Sequence, residues 1–267
     1  MDDITIKPLQ PYIRIEADNL SQIETNDLGI SHFYEFSLKD GKPHNVNAVP
    51  DGCIDILFNL GNDKVTTSVG GTVLKVKPWE LCSEDICFGV RFQPGKGMLP
   101  KEISKEMLAD NDIEVDGDIF GDNLTEKIVM AKDINERSVI FKSAYEELVY
   151  SMISKSDKEK INDYLVSRIT RAKGLVTIKQ LEEETNYSAC YLRRIFKSYH
   201  GISPKQFAQF IRFQNLLEQV DKAGIRYDDI AVKCGYYDEA HMMKEFKNYT
   251  GKTLEQYKEI MNGRKLV

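Results

Sequence analysis

The 267-residue sequence predicts an α+β chain in which an antiparallel β barrel or sandwich with trailing helices precedes an all-α part. Three patterns predict it. Strand-like runs bounded by glycine and proline turns fill residues 45 to 95, helical spacing takes over after Gly121, and the last hundred or so residues repeat themselves at an interval of 50. With 42% hydrophobic residues, the chain is long enough for two domains that each bury a core.

The strand runs follow from alternation and turn chemistry. Cys53 to Phe58 alternates after Pro50-Asp51-Gly52, while Val65 to Val69 and Thr72 to Val76 flank Gly70-Gly71, a pair suited to a hairpin turn. Ile86 to Phe92 reads as a strand closed by Pro94-Gly95, and Ser31 to Leu38 is strand-like. Beyond Gly121 the period changes. Leu124, Ile128 and Val129 share one helical face, and Val139, Ile140, Ala144, Leu148 and Val149 share the next, giving two amphipathic helices that face the core or form a dimer contact. The polar stretch between Ser151 and Asp157 sets the expected boundary, dividing the chain into domains 1–153 and 154–267.

Charge divides the same way. The formal net charge is −6, yet from Lys155 onward 21 Lys and Arg stand against 15 Asp and Glu, a net of +6, and the preceding residues carry −12. A basic half joined to an acidic half fits a nucleic-acid-binding module on a sensing or assembly domain. No apolar run approaches a bilayer span and MDDITIKPLQ lacks the marks of a signal peptide, so a cytoplasmic protein without a membrane partner is expected. Cys53, Cys82, Cys87, Cys190 and Cys234 show no paired spacing. They read as reduced and mostly buried, with no metal or cofactor expected.

The internal repeat carries the most information. Phe196-Lys197 recurs as Phe246-Lys247, Tyr199 as Tyr249, Gly201 as Gly251, Ser203 as Thr253, Gln206 as Gln256 and Phe207 as Tyr257. Upstream the offset falls to 49, matching Leu181 to Ile230 and Asn186 to Gly235, so one residue is inserted in the second turn. Thr177-Ile178-Lys179-Gln180 is a capping box, repeated at Ser203 to Gln206 and Thr253 to Gln256. Asn186 and Gly235 suit the left-handed corner, and Ser188 and Asp238 suit the cap of the next helix. Each copy is thus helix, tight turn, helix, over about 175–200 and 226–250.

The second helix of each copy turns a basic face outward. Arg193, Arg194 and Lys197 form one face and Lys244 and Lys247 the other, which suits DNA, although Lys and Arg also serve as ordinary solvated residues. Pro204 to Asp221 reads as one linking helix with Phe207, Phe210, Ile211, Leu216, Leu217 and Val220 as apolar positions. Its length of about 27 Å compares with the helical repeat of about 34 Å between successive major-groove faces. Two recognition helices on such a rod would enter adjacent grooves.

These residues resemble the AraC/XylS type of bacterial transcription regulators over roughly 157 to 260. Phe196 to Pro204 matches F-K-x-x-x-G-x-S-P, and Ile230 to Gly251 matches I-A-x-x-x-G-[FY]-x-D followed by F-K-x-x-x-G. The resemblance implies a sequence-specific DNA-binding regulator, an activator, with no catalytic residue. It implies base-reading sites at Cys190, Arg193 and Arg194 and at Glu239, Ala240, His241 and Lys244, with Lys197 and Lys247 as phosphate contacts. His241 also fits a plain solvent-facing role, and Met242 and Met243 fit core and rim. Double-stranded DNA is the implied partner, with RNA polymerase, a small-molecule effector and a second protomer as further candidates.

Three positions depart from the family. Glu182 stands where a small Ala is usual and opens the acidic run Glu182-Glu183-Glu184, Leu254 replaces a Pro, and Arg226 occupies an N-cap position. They predict a modest DNA affinity. The N-terminal half resembles the acidic sensor region that precedes this module in many regulators, through Val49 to Phe58 and Gly89 to Gly95. Only His32 and His44 lie there, too few for a metal-binding cupin. Asp55 and Arg91 are charged residues inside strands that either line a ligand pocket, face the surface or pair with each other. The competing readings are an adaptor of the same fold that lost DNA binding, and a bifunctional DNA-repair protein with a reactive cysteine, for which Cys53, Cys82 and Cys87 lack the spacing.

Overall fold

The computed structural model describes residues 6–38, 44–61, 64–81, 86–152, 156–220 and 226–263. A helical turn, α1 (Ile13–Glu16), leads into β1 (Ala17–Glu24), β2 (Ile30–Leu38), β3 (His44–Ala48), β4 (Asp55–Leu60), β5 (Val65–Gly70), β6 (Lys77–Leu81), β7 (Ile86–Phe92) and β8 (Asp112–Val115). The strands pair antiparallel in a six-stranded sheet of order β1-β2-β7-β4-β5-β8, with β3 and β6 forming a separate ribbon. Among the described residues β1 and β8 stay as open edges. The arrangement is sandwich-like rather than a closed barrel.

The Gly70-Gly71 hairpin does not form. Gly70 ends β5, residues 72–76 make no strand, and β5 pairs with β4 and β8 instead. A Cβ on Gly71 would stand 1.7 Å from the Leu108 carbonyl oxygen, while its amide donates to Asn111 O at 3.1 Å. The residue answers to close backbone approach of a distant segment, which local turn chemistry does not reveal.

Both faces of the sheet are covered, and the pleat assigns residues to each. Phe33, Ile56, Phe58, Phe88, Val90 and Phe92 enter one core together with α2 (Leu124–Met130) and α3 (Ile134–Ser151). Tyr34, Phe36, Leu57 and Cys87 enter the other, against the C-terminal helices. Of the expected stripe on α3, Ile140, Ala144, Leu148 and Val149 pack half-buried against the first of these cores, and Val139 does not. The helix buries Ile134, Arg137, Ser138, Phe141 and Tyr145, whereas Val139 is 68% exposed and Val129 on α2 also faces solvent. Phe141 decides the face because its ring packs on Phe33, Phe58, Phe120 and Tyr145 at 5.6 to 6.4 Å. Arg137 then lies inside, donating to Ile128 O and Ala131 O and pairing with Glu35 of β2.

The C-terminal helices are α4 (Asp157–Arg171), α5 (Ile178–Thr185), α6 (Ala189–His200), α7 (Pro204–Val220), α8 (Tyr227–Lys233), α9 (Glu239–Thr250) and α10 (Leu254–Met261). Residues 153–155, where the expected domain boundary falls, and Asp221, the expected end of the linking helix, lie outside the described residues. Helix α7 is buried on nearly every side, including the polar Gln214, Asn215 and Gln219. Gln214 explains part of this: its Nε2 donates to Pro50 O at 2.9 Å and its Oε1 accepts from Leu9 N at 2.7 Å. Tyr12 donates its hydroxyl to Thr250 O at 2.7 Å, so the first strands and the last helices share one packed interface. Glycine is required there. Gly52 and Gly95 have φ of +75° and +71°, and a Cβ on either would stand 2.7 Å from the Phe207 ring or 2.8 Å from the Val166 methyls.

Two histidines are held neutral. Burial, with the charges of Arg91, Lys7 and Arg14, pushes His32 down to about 3 from an ordinary 6.5. Burial, with Lys105 and Lys96, also pushes His200 well down; its Nε2 lies 2.9 Å from Asn162 Oδ1. Between the folded and unfolded values only the unfolded chain binds these protons, so stability falls as pH falls from 6.5 toward 3. Urea unfolding of His32→Gln between pH 4 and 6 should show a slope against pH shallower by about 1.4 kcal/mol per unit than the parent; an unchanged slope contradicts the neutral burial of His32.

Candidate nucleic-acid interface

Each unit is built by caps and corners that the local sequence dictates. Thr177 and Gln180 close a capping box on α5, Asn186 takes the left-handed corner at φ 57°, and Ser188 Oγ accepts from Tyr191 N to start α6. In the second unit Gly235 turns the corner at φ 72° and Asp238 accepts from His241 N to start α9. The inward stripe is Leu192, Ile195 and Phe196 in α6 and Met242 and Phe246 in α9, all buried. Met243 is half-buried at the rim.

The expected reading positions lie on the exposed side of α6 and α9. Cys190, Arg193, Arg194 and Lys197 are all exposed on α6, as are Glu239, Ala240, His241, Lys244 and Lys247 on α9. Both faces are carried by α7, whose 17 residues span about 25 Å. A cleft of about 770 Å³ opens between the units, with Leu175, Leu181 and Ala208 on its walls and Arg193, Lys205 and His241 reaching it from three different helices. Lys205 escaped the sequence reading because it sits in the capping box of α7, where it reads as a solvated linker residue. Tyr237, 92% exposed in the longer second turn, escaped it too.

The second unit is fixed to α7 by a partly buried ionic cluster. Arg212 donates to Glu245 Oε2 at 2.7 Å, the Tyr236 hydroxyl donates to Glu245 Oε1 at 2.7 Å, and the guanidinium lies 4.4 Å from the Tyr236 ring centre. The first unit is tied to α4 by Arg168, whose guanidinium makes a bidentate pair with Glu184 at 2.8 and 2.9 Å while Tyr164 donates to the same carboxylate. The acidic run is therefore largely engaged in the fold. Glu182, half-buried, accepts from Ala189 N and so caps the first turn of α6, where the helix dipole favours a carboxylate. Arg226 makes no cap and pairs with Asp228, and Leu254 is simply buried behind the Thr253–Gln256 capping box.

The charged strand residues lie apart from this face. Arg91 is buried, donates from Nε to Asp55 Oδ1 at 2.8 Å, pairs through Nη2 with the same carboxylate, and has Asp51 Oδ2 3.2 Å from Nη1. Burial raises the Asp55 carboxyl above its ordinary range against the pull of Arg91. The cavities on either side of the guanidinium measure about 30 Å³ each, room for one or two waters. Of the cysteines, Cys53, Cys87 and Cys234 are buried, Cys190 is exposed, and Cys82 lies outside the described residues. Burial pushes the Cys53 and Cys234 thiols up, away from the thiolate. Among the described residues no group of three or more His, Cys, Asp and Glu could hold a metal, and no helix is long and apolar enough to cross a membrane.

A fold of two such units on one linking helix defines a DNA-binding type of module, and residues 181–260 match the family described as a helix-turn-helix domain. That segment is a helix-turn-helix domain. An uncharacterised HTH-type transcriptional regulator of Haemophilus influenzae is 32% identical over 107 residues, which cover 39% of this chain. The match spans 35% of that relative's length. Among solved structures, apo ToxT from Vibrio cholerae compares over 90% of this chain and 100% of its own with TM-score 0.47 and 15% identity. Wild-type ToxT bound to an unsaturated fatty acid compares over 90% and 99% with TM-score 0.43 and 14% identity.

Removing the Glu182 carboxylate tests the capping role directly. Glu182→Ala should lower unfolding stability by about 0.5 to 2 kcal/mol, measured by denaturant unfolding; an unchanged or raised stability would show that the family's usual small residue serves this chain as well.

Proposed function

We propose that this chain is a sequence-specific DNA-binding transcription regulator that reads two adjacent major-groove segments. The observation that carries this reading is the pair of exposed basic faces on α6 and α9, both held on the single buried rod of α7. The net charge of +6 from Lys155 onward supports it, because phosphate neutralisation supplies most of the sequence-independent affinity. In this reading Cys190, Arg193, Arg194, Glu239, Ala240, His241 and Lys244 face base edges, and Lys197 and Lys247 hold phosphates. The regulator acts as an activator toward RNA polymerase. Residues 1–153 form its regulatory domain, responding to a small ligand or a second protomer, and 154–267 its DNA-binding domain. The contacts of Gln214 with Leu9 and Pro50 and of Tyr12 with Thr250 support a route by which one part biases the other.

The capping by Glu182 and the pairing of Glu184 weigh against an adaptor that has lost DNA binding, since the acidic run is used inside the fold. The raised thiols of Cys53 and Cys234 weigh against repair chemistry, which needs a thiolate. Selection of bound sequences from random duplex DNA by the full chain, at two salt concentrations, tests the reading. A regulator enriches a site of about two major-groove turns, with affinity falling steeply as salt rises; no enrichment sinks it. Arg194→Ala should cost about 1 to 3 kcal/mol at one base pair of that site. Lys247→Ala should weaken all sequences alike.

A further inference from the structure

Arg194 and Tyr191 stand three residues apart on α6, so their side chains rise from the same exposed face. The Arg194 guanidinium carbon lies 5.3 Å from the centre of the Tyr191 ring. That ring packs in turn on Tyr187, with 5.1 Å between centres and planes 33° apart. Tyr187 itself is anchored in the corner between the helices, where its amide donates to Thr185 Oγ1 at 3.3 Å. Resting on the DNA-reading role of α6, we propose that Tyr187 and Tyr191 form an aromatic brace that holds the Arg194 guanidinium ready for a guanine edge, making Tyr191 a positioning residue for base specificity.

The physics favours such a device at this position. An arginine reads guanine through two parallel N–H donors in a planar fork, so a wrongly rotated guanidinium gains little. Exposed arginine samples many rotamers, and a ring beneath it restricts them before DNA arrives. Arg193, one residue earlier, turns into the cleft between the units, and among the described residues no aromatic ring lies under it.

The second unit repeats the aromatic pair without the arginine. At the offsets of the repeat, Tyr187, Tyr191 and Arg194 correspond to Tyr236, His241 and Lys244. Tyr236 and His241 pack edge to face at 5.4 Å, yet Tyr236 is also engaged by Arg212 and Glu245, and Lys244 offers a point charge rather than a planar fork. The brace ends in a base-reading fork in the first unit alone, which makes that unit the source of most sequence preference.

The test uses the full chain, the site selected by the parent protein and its single-base variants. Tyr191→Leu should lower discrimination at the base pair identified by Arg194→Ala about two- to fivefold, leave the other positions unchanged, and speed dissociation. Tyr191→Phe and Tyr191→Trp should restore parental discrimination, and Tyr187→Ala should give a smaller loss at the same base pair. Relaxation of the Arg194 Nε–Hε group in the DNA-free protein should show order in the parent and Tyr191→Phe, and mobility in Tyr191→Leu. The brace is refuted if Arg194 is equally mobile in all three proteins, if Phe fails as badly as Leu, or if the loss spreads evenly over the site. Failure of the parent to enrich any sequence overturns the DNA-reading role and the brace together, and is told apart because it precedes any variant.

Discussion

The core shared by the sheet and the C-terminal helices is arranged around α7. Among the described residues it carries the chain from the first helix-turn-helix unit toward the second, and its buried circumference serves three neighbours at once. Phe207 meets Phe196 of the first unit, Phe213 meets Phe246 and Tyr249 of the second, and Gln214 meets the backbone of Leu9 and Pro50. A helix with this many partners keeps the stripe of Lys205, Gln209 and Arg212 toward the cleft. Small rotations of α7 would therefore be felt by both recognition helices and by the sheet, because packed interiors transmit displacement instead of absorbing it.

The two units are held to that rod by different physics. The first uses aromatic packing, with Phe196 and His200 against Phe207, and is tied separately to α4 by the exposed bidentate pair between Arg168 and Glu184. The second uses a partly buried cluster in which Arg212, Glu245 and Tyr236 share two hydrogen bonds and a ring contact. Removing one partner of such a cluster leaves a charge without compensation, whereas an exposed pair contributes little either way. Orientation of the second recognition helix is thus the more rigidly specified. On the proposed aromatic brace, sequence preference rests by contrast with the arginine-bearing helix of the first.

The sheet is built on the same economy of faces. Its outer side is filled by aromatic rings around Phe141, while its inner side carries Tyr34 and the ion pair of Arg91 with Asp55 toward the helices. Glycines at 52 and 95 let the loops after that face approach Phe207 and Val166 without a Cβ in the way. What reads in sequence as turn chemistry is here also a clearance requirement.

The sequence by itself determined the helical module almost completely, because its determinants are local. Capping boxes at Thr177, Ser203 and Thr253, left-handed corners at Asn186 and Gly235, and the inward stripes of α6 and α9 are all satisfied within a few residues of where they are written. The exposed positions of Arg193, Arg194, Lys197, Lys244 and Lys247 followed from the same periodicity. Tertiary structure alone decided the rest. No local rule tells that Gly71 answers to Leu108, that Phe141 overrides Val139 on α3, or that Arg91 pairs inward. Each of these depends on what a distant segment brings to the same place, and such partners leave no periodic trace in the chain that carries them.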